Sequence, residues 1–425
     1  MTPLPRKLLS ANASDDGDGH LLIAGIDVLD VANEFGTPLF IYDEDDMRAR
    51  ARAAVEAFGP EVAYASKAFL CRAMARLAYD EGMCIDVSTG GELHVALSAG
   101  VPADRLVLHG NNKSTEELER AIEAGVGRIV VDSFDEIDRL DEILTARPGV
   151  RPRVLIRVTP GVEAHTHEYV MTGQEDSKFG FSLASGAAAE GIEQLRALPV
   201  DFVGIHSHIG SQIFMTTGYE KQIELLADLV KTTGVEELCI GGGLGVAYVG
   251  HEEGSSIAQW ATRVKATAAS AGIDAAVRIT AEPGRSIVAP AALTLYRVGT
   301  IKELEGIRTY VAVDGGMSDN PRPVLYGSGY ETFLPRSVDA DRDWVVTLVG
   351  KHCESGDVIV REARVPIDMA VGDVIATPVT GAYGYSMASN YNKVPRPAVV
   401  FLRDGNARVV VRRETLDDLL RLDAD

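Results

Sequence analysis

The sequence predicts an α/β protein in which a (β/α)8 TIM-like barrel is joined to a second, mostly antiparallel β domain of sandwich or barrel form. Three observations carry that prediction. Between Pro38 and Pro290 short β-rich runs alternate with amphipathic helical stretches, eight times over, the signature of parallel strands linked by crossover helices. After Pro290 the β-rich runs continue without helical stretches between them. The chain, at 425 residues, has room for a barrel of about 250 residues and one further domain.

The eight runs are residues 62–66, 84–87, 105–109, 128–132, 154–158, 202–207, 237–240 and 277–281. Their number, with no obvious reversal of strand order, favours a closed barrel over an open doubly wound sheet. Helix starts are marked by Ser114 with Glu117 and by Ser133 with Glu136, both spaced as capping boxes, and Gly100 and Gly125 stand where helices end in left-handed residues. Past Pro290, strands are expected at 293–298, 309–313, 344–349, 374–377, 398–402 and 408–411. The run 20–23 is expected to pair with that later sheet. The expected division is therefore an N-terminal segment, 1–37, joining the β domain; the barrel, 38–290; and the β domain, 291–425.

Composition narrows the class of function. Lys and Arg number 41 against 62 Asp and Glu, a net charge of −21 with no basic block, so nucleic acid and anionic membrane surfaces are poor partners. Cys71, Cys84, Cys239 and Cys353 form no C-x-x-C pair and no cluster with histidine, which argues against a disulfide framework or structural zinc and for a reducing compartment. Only Leu8 and Leu9 follow the basic Arg6-Lys7 before a polar stretch, so no signal peptide is expected. No apolar run approaches the ~18 residues of a membrane helix. The expectation is a cytoplasmic protein.

In a (β/α)8 barrel the reacting groups stand at the C-terminal strand ends. The first run ends at Lys67, the sixth at His206-Ser207-His208, the seventh at the glycine stretch 241–245 and the eighth at Glu282-Pro283-Gly284-Arg285. In a desolvated barrel mouth Lys67 would lose basicity and could form a Schiff base; on the rim it would be a surface lysine. The glycine stretch lets backbone amides approach an anion, but fits a dinucleotide turn badly because Val246 stands where a third Gly or Ala belongs. Glu282 and Arg285 suit a pyridinium proton and a phosphate or carboxylate, or simply pair with one another. His206 and His208 share a face if their strand persists. Further ligands at a recognisable spacing are lacking among His109, His165 and His167, so no metal is expected, and the rings are read as core histidines or as one lying flat on an aromatic cofactor.

Two C-terminal motifs and one loop complete the candidates. In the turn 350–357 Cys353 lies between basic and acidic neighbours, as a reactive thiol or a small buried hydrophobe. Glycines bracket Tyr383 in 381–385, placing a phenol at a ligand or closing a turn. The long polar stretch 165–177 is a candidate lid or an ordinary connection.

Taken together and in order, the strings YASKAF, DVSTGGEL, HGNNKS, HIGSQI, GGGLG, AEPGR, VDGGMSDNPRPVLYG, CESGD and GAYGYSMASNYN resemble the fold type III pyridoxal-phosphate decarboxylases over nearly the whole chain, and most closely the members acting on diaminopimelate. The resemblance implies pyridoxal 5'-phosphate as cofactor, with Lys67 as the Schiff-base lysine, His208 stacked on the pyridine ring and Glu282 on the proton of its nitrogen. Around the phosphate it implies Ser211, Gly243, Arg285 and the amides of the Glu282-Pro283-Gly284-Arg285 turn, while Tyr383 reaches cofactor and substrate. It assigns substrate carboxylates to Arg285, Arg322 and Tyr326, an ammonium to Glu354, and delivery of the proton that replaces the lost carboxylate to Cys353. The CESGD loop would enter the neighbouring subunit's site in a two-fold homodimer.

The reaction so implied removes the carboxylate at the D centre of meso-diaminopimelate, giving L-lysine and carbon dioxide, the last step of lysine biosynthesis. Two other readings stand beside it. One keeps the cofactor and barrel but acts on ornithine, arginine or a carrier-bound glutamyl group, or racemises; Arg322 argues against ornithine, which has no distal carboxylate to grip. The other is a non-catalytic decarboxylase-like binding protein, against which the presence of both Lys67 and Cys353 argues.

Overall fold

The computed structural model describes residues 3–162 and 176–424. Backbone contacts divide the chain into two units, one of residues 50–245 and 254–286, the other of residues 1–49, 246–253 and 287–425.

The first unit is the barrel. Its strands are Ala63–Ala65, Cys84–Val87, Leu106–Leu108, Arg128–Val131, Arg153–Thr159, Asp201–His206, Glu237–Cys239 and Arg278–Thr280, each parallel to the next. The ring closes where the Ala63 amide donates to the Ala281 carbonyl at 3.0 Å and the Ala65 amide to Pro283 at 3.3 Å. All eight runs read from the sequence are strands of this ring. Ala63, Cys84, Val107, Val130, Leu155, Val203 and Cys239 pack together as a buried cluster. The buried Arg128 donates to Glu237 Oε1 at 2.6 Å, each the first residue of its strand, and Thr280 Oγ1 donates to the same oxygen at 3.1 Å. Such a buried pair is tolerable only because each charge has its partner.

The helix starts differ in one respect from expectation. Ser114 and Glu117 make the complete reciprocal box, and Gly125 ends that helix with φ 76°. Ser133 caps the amide of Glu136, but the Glu136 carboxylate turns to the Asp132 amide and the buried Lys113 instead. The charge partner outcompetes the Ser133 amide for that side chain.

The second unit holds one eight-stranded sheet of Leu39–Asp43, Ala292–Leu304, Arg308–Val313, Trp344–Val349, Val358–Val365, Val374–Pro378, Ala398–Arg403 and Asn406–Val411. Pairing is antiparallel except for Arg308–Val313 with Trp344–Val349 and Leu39–Asp43 with Ala398–Arg403. The fully buried run Leu39–Asp43 falls within the 38–290 range expected for the barrel, yet pairs with Ala292–Leu304 and Ala398–Arg403. A continuous apolar run identifies a buried strand without naming its neighbours. Val358–Val365 escaped the sequence reading because Arg361, Glu362 and Arg364 interrupt its apolar pattern.

Leu21–Ile23 does not pair with the later sheet. It joins Ser14–Asp15 and Ile26–Asp27 in a small sheet of its own, because Ala24 and Gly25, both at positive φ (52° and 77°), form a two-residue hairpin turn. A short helix, Arg322–Tyr326, also interrupts the region where only strands were expected, stopped by Gly327 at φ 61°. Among the described residues no helix is long and apolar enough to cross a membrane.

Candidate active site

At the C-terminal strand ends of the barrel three segments run so close that side chains are excluded between them. A Cβ on Gly243, whose φ is +99°, would sit 2.0 Å from the Gly210 carbonyl oxygen. Glycine is thus required there by backbone contact. Beside it Arg285 Nη2 donates to Ser211 Oγ at 2.9 Å, joining two residues far apart in sequence. Pro283, Gly284 and Arg285 are buried. A guanidinium, a hydroxyl and side-chain-free backbone form a cradle suited to a phosphate group.

Glu282 is the electrostatic centre of this mouth. Its Oε2 lies 3.1 Å from His206 Nε2, and its Oε1 lies 3.0 Å from His109 Nε2 and accepts from Cys239 Sγ at 3.3 Å. Burial alone would raise its pKa, but the charge and contacts of His109, with His206, outweigh this and hold it well below the usual carboxylate range. Burial pulls His206 down to about 4, so that ring is neutral at pH 7 and donates one hydrogen bond. His109 is the opposite case. Burial disfavours its charge, yet Asp86 and Glu282 overcome that and raise its pKa. The glutamate is thus held in its ionised form, and its neighbourhood favours the charged form of His109.

His206 and His208 do not share a face, because the strand ends at His206. His206 turns onto Glu282, whereas the half-buried His208 accepts the Gly242 amide at Nδ1, 3.2 Å away, and burial pushes its pKa well below the usual value. One ligand atom each of His109, His206 and Glu282 lies within 4.8 Å of the others. These residues come from different strand ends, adjacent only once the ring is formed. Lys67 occupies the 3-10 turn Ser66–Ala68 directly after the first strand and is exposed, while the turn buries Ser66 and Ala68 on either side.

Sequence reasoning also missed polar groups at the ends of other strands. Arg157, buried, lies 3.5 Å from Asp132 Oδ2 and 4.2 Å over the Phe179 ring, while Asp132 Oδ1 accepts the Gly180 amide at 2.8 Å. This anchors Phe179 and Gly180. Lys113 of HGNNKS is a buried structural cation that donates to the carbonyls of Gly110 and Val130 and pairs with Glu136 at 2.8 Å. The candidate lid, 165–177, lies outside the described residues except for its last two, and His165 and His167 lie outside with it.

The second unit carries the remaining candidates. Arg322 is buried, donates from Nη1 to the Tyr330 hydroxyl at 2.6 Å, and lies over the Tyr248 ring at 4.1 Å. Tyr326, half-buried, ends the same short helix. Tyr383, also half-buried, has φ 59°, an unfavourable backbone state for a tyrosine. Its loop is pinned where the Tyr42 hydroxyl donates to the Gly381 carbonyl at 2.8 Å. Cys353 and Glu354 are exposed, on a turn flanked by the buried His352 and Asp357.

Comparison with known proteins agrees with this arrangement. Residues 44–289 match the family model described as pyridoxal-dependent decarboxylase, pyridoxal binding domain. A Mycobacterium tuberculosis protein named diaminopimelate decarboxylase is 49% identical over 97% of this chain and 96% of its own length. A Bacillus subtilis protein of the same name is 46% identical over 98% of each. Among solved structures, the M. jannaschii diaminopimelate decarboxylase in co-complex with L-lysine superposes with a TM-score of 0.90 at 32% identity, covering 98% of both chains. A Vibrio vulnificus lysine/ornithine decarboxylase, at 24% identity and a TM-score of 0.75, shares the fold. The chain belongs to the pyridoxal-dependent decarboxylase family, among the diaminopimelate decarboxylases.

Proposed function

We propose that this chain decarboxylates meso-diaminopimelate to L-lysine and carbon dioxide with pyridoxal 5'-phosphate. The residues at the barrel mouth suit that cofactor: an accessible lysine at a strand end, an ionised buried glutamate, and a cradle of Arg285, Ser211 and Gly243. When bound, the cofactor supplies an electron sink for the pair of electrons left as the carboxylate departs. Lys67 would hold it covalently, His208 would lie against its ring, and the ionised Glu282 would keep a proton on the ring nitrogen. Ser211, Gly243, Arg285 and the Glu282-Pro283-Gly284-Arg285 turn would bind its phosphate.

Substrate choice rests on a cation and an anion used together. Arg322, with Tyr326 and Arg285, would bind carboxylates, Glu354 the distal ammonium, and Tyr383 would reach both cofactor and substrate. Cys353 would give the proton that takes the place of the carboxylate, a general-acid step at its Sγ. The observation that carries the reading is Arg322: a guanidinium buried on two tyrosines is an expensive feature unless a substrate carboxylate completes it. Exposure of Cys353 and Glu354 in the single chain supports the reading that they complete a partner's site in a homodimer. None of the four cysteines is in a disulfide, which supports a place in the reducing cytoplasm.

The test is to incubate the purified protein and cofactor with meso-diaminopimelate, L-ornithine and L-arginine in turn, measuring carbon dioxide and amine product. Release from diaminopimelate with formation of L-lysine is expected; release from ornithine alone would sink the proposal. Borohydride reduction should fix the cofactor to the wild-type protein and not to Lys67→Ala.

A further inference from the structure

We propose that His352 and Asp357 form a clamp that positions Cys353 and Glu354 for the reaction, an inference that rests on the reading of Cys353 as the proton donor. In the sequence these two residues look like ionic neighbours of the thiol. In the structure they bond to each other. His352 Nδ1 donates to Asp357 Oδ2 at 2.7 Å, and the His352 backbone amide donates to the same oxygen at 2.9 Å. The other oxygen, Oδ1, accepts the Met317 amide at 2.7 Å. Both side chains are essentially inaccessible, at 0% and 2% exposure, while the two residues next to His352, Cys353 and Glu354, are exposed.

The surrounding backbone is built to admit this carboxylate. A Cβ on Gly350 would lie 2.2 Å from Asp357 Oδ2, and one on Gly316 would lie 2.6 Å from either oxygen. The Gly350 amide donates to the Asp357 carbonyl and the Lys351 amide to Gly315, both at 3.0 Å, so the loop is sewn to the Gly315-Gly316 turn. On its other side the His352 ring stacks on Tyr391, with centroids 5.8 Å apart and planes 16° from parallel, and the neighbouring Asn392 side-chain oxygen accepts the Cys353 amide at 2.9 Å. The buried polar contacts of the loop thus fix the base of a turn whose tip carries the thiol and the carboxylate.

Only one ring nitrogen takes part. His352 Nε2 is buried with no hydrogen-bond partner among the described residues. An asparagine at this position presents an N–H where Nδ1 stands, a phenylalanine keeps the ring without the donor, and a glutamine carries its donor one bond too far. A general acid works only within hydrogen-bond reach of its target, and a shift of about 1 Å can cost up to about 100-fold.

The experiment compares wild type, His352→Asn, His352→Phe and His352→Gln as holoenzymes, measuring kcat and KM on meso-diaminopimelate and amide hydrogen exchange over residues 350–357. For His352→Phe the clamp requires kcat to fall by about tenfold or more as Cys353 is displaced, KM to rise by about threefold or more as Glu354 is displaced, and loop exchange to quicken by about tenfold. His352→Asn is expected to recover most of all three. His352→Gln repeats the loss and stands in for His352→Phe if that variant does not fold. Wild-type turnover and exchange in the variants lacking the donor would overturn the clamp, as would equal impairment in His352→Asn. If wild type fails to decarboxylate diaminopimelate, the functional reading falls by itself, and the exchange comparison alone decides the clamp, with equal rates overturning it.

Discussion

His109 Nε2 lies 3.0 Å from Glu282 Oε1 and 3.6 Å from Asp86 Oδ1, so a single imidazole ring is shared by two buried carboxyl groups. After burial, which opposes it, His109 is the largest influence on Glu282 and, with His206, holds that carboxyl well below the usual range. His109→Leu should therefore weaken the hold on the cofactor's ring nitrogen by the worth of one charged contact, about tenfold in affinity. Fluorescence titration of the apoprotein with pyridoxal phosphate measures this, and His109→Gln should recover part of the loss. Unchanged affinity in His109→Leu would mean that His206 and Cys239 suffice.

Arg322 is held by a stack on Tyr248 and a hydrogen bond to Tyr330. A lysine can reproduce the charge but neither the planar stack nor the fork. Arg322→Lys is expected to lower kcat/KM for diaminopimelate by about 10- to 100-fold, the cost of a charged hydrogen bond, and Tyr330→Phe by only about fivefold. Steady-state kinetics separate the two. A larger effect from Tyr330→Phe than from Arg322→Lys would reverse the assignment of the carboxylate-binding group.

Asp319 gives a pH signature separate from the barrel mouth. Burial raises its carboxyl from the ordinary 3.8 to about 7, although the Tyr296 hydroxyl donates to it at 2.6 Å and the Gly316 amide at 2.8 Å. Between about pH 4 and 7 the folded chain keeps a proton that the unfolded chain has released, so this group's contribution to stability falls as pH rises through that window, by up to ~1.4 kcal/mol per pH unit. Asp319→Asn has no such proton to lose. Thermal melts at pH 5 and pH 7.5 should show the variant gaining on wild type at the higher pH; a constant difference between the two curves would reject the assignment.

What could be read from the sequence and what could not divide along a physical line. Local periodicity located all eight barrel strands, and the strand ends Lys67, Gly243, Glu282 and Arg285 were legible because each stands within a few residues of the end of an apolar run. Pairing across the chain was not legible. Leu39–Asp43 shows nothing of its neighbours in Ala292–Leu304 and Ala398–Arg403, and the hairpin turn at Ala24-Gly25 decides the fate of Leu21–Ile23 more strongly than the later sheet does. The same holds in the site. His109 and His206 meet at Glu282, with Asp86 beside His109, only because the barrel closes, and His352 looks in the sequence like a neighbour of the thiol but is turned by the fold onto Asp357.

Sharing of sites between subunits has a numerical consequence. If each site combines Lys67 of one subunit with Cys353 of the other, a dimer of one Lys67→Ala chain and one Cys353→Ala chain holds one site with both groups intact and one with neither. Random reassortment of equal amounts makes half of all dimers mixed, so about a quarter of wild-type sites should return from two impaired parents. If instead each chain supplied both groups to its own site, no reassortment could restore activity. The measurement is turnover after mixing, with subunit exchange followed independently by a fluorescent label on each parent. Demonstrated exchange without recovered turnover would place Lys67 and Cys353 in the same subunit's site, and the two-fold arrangement would have to be abandoned.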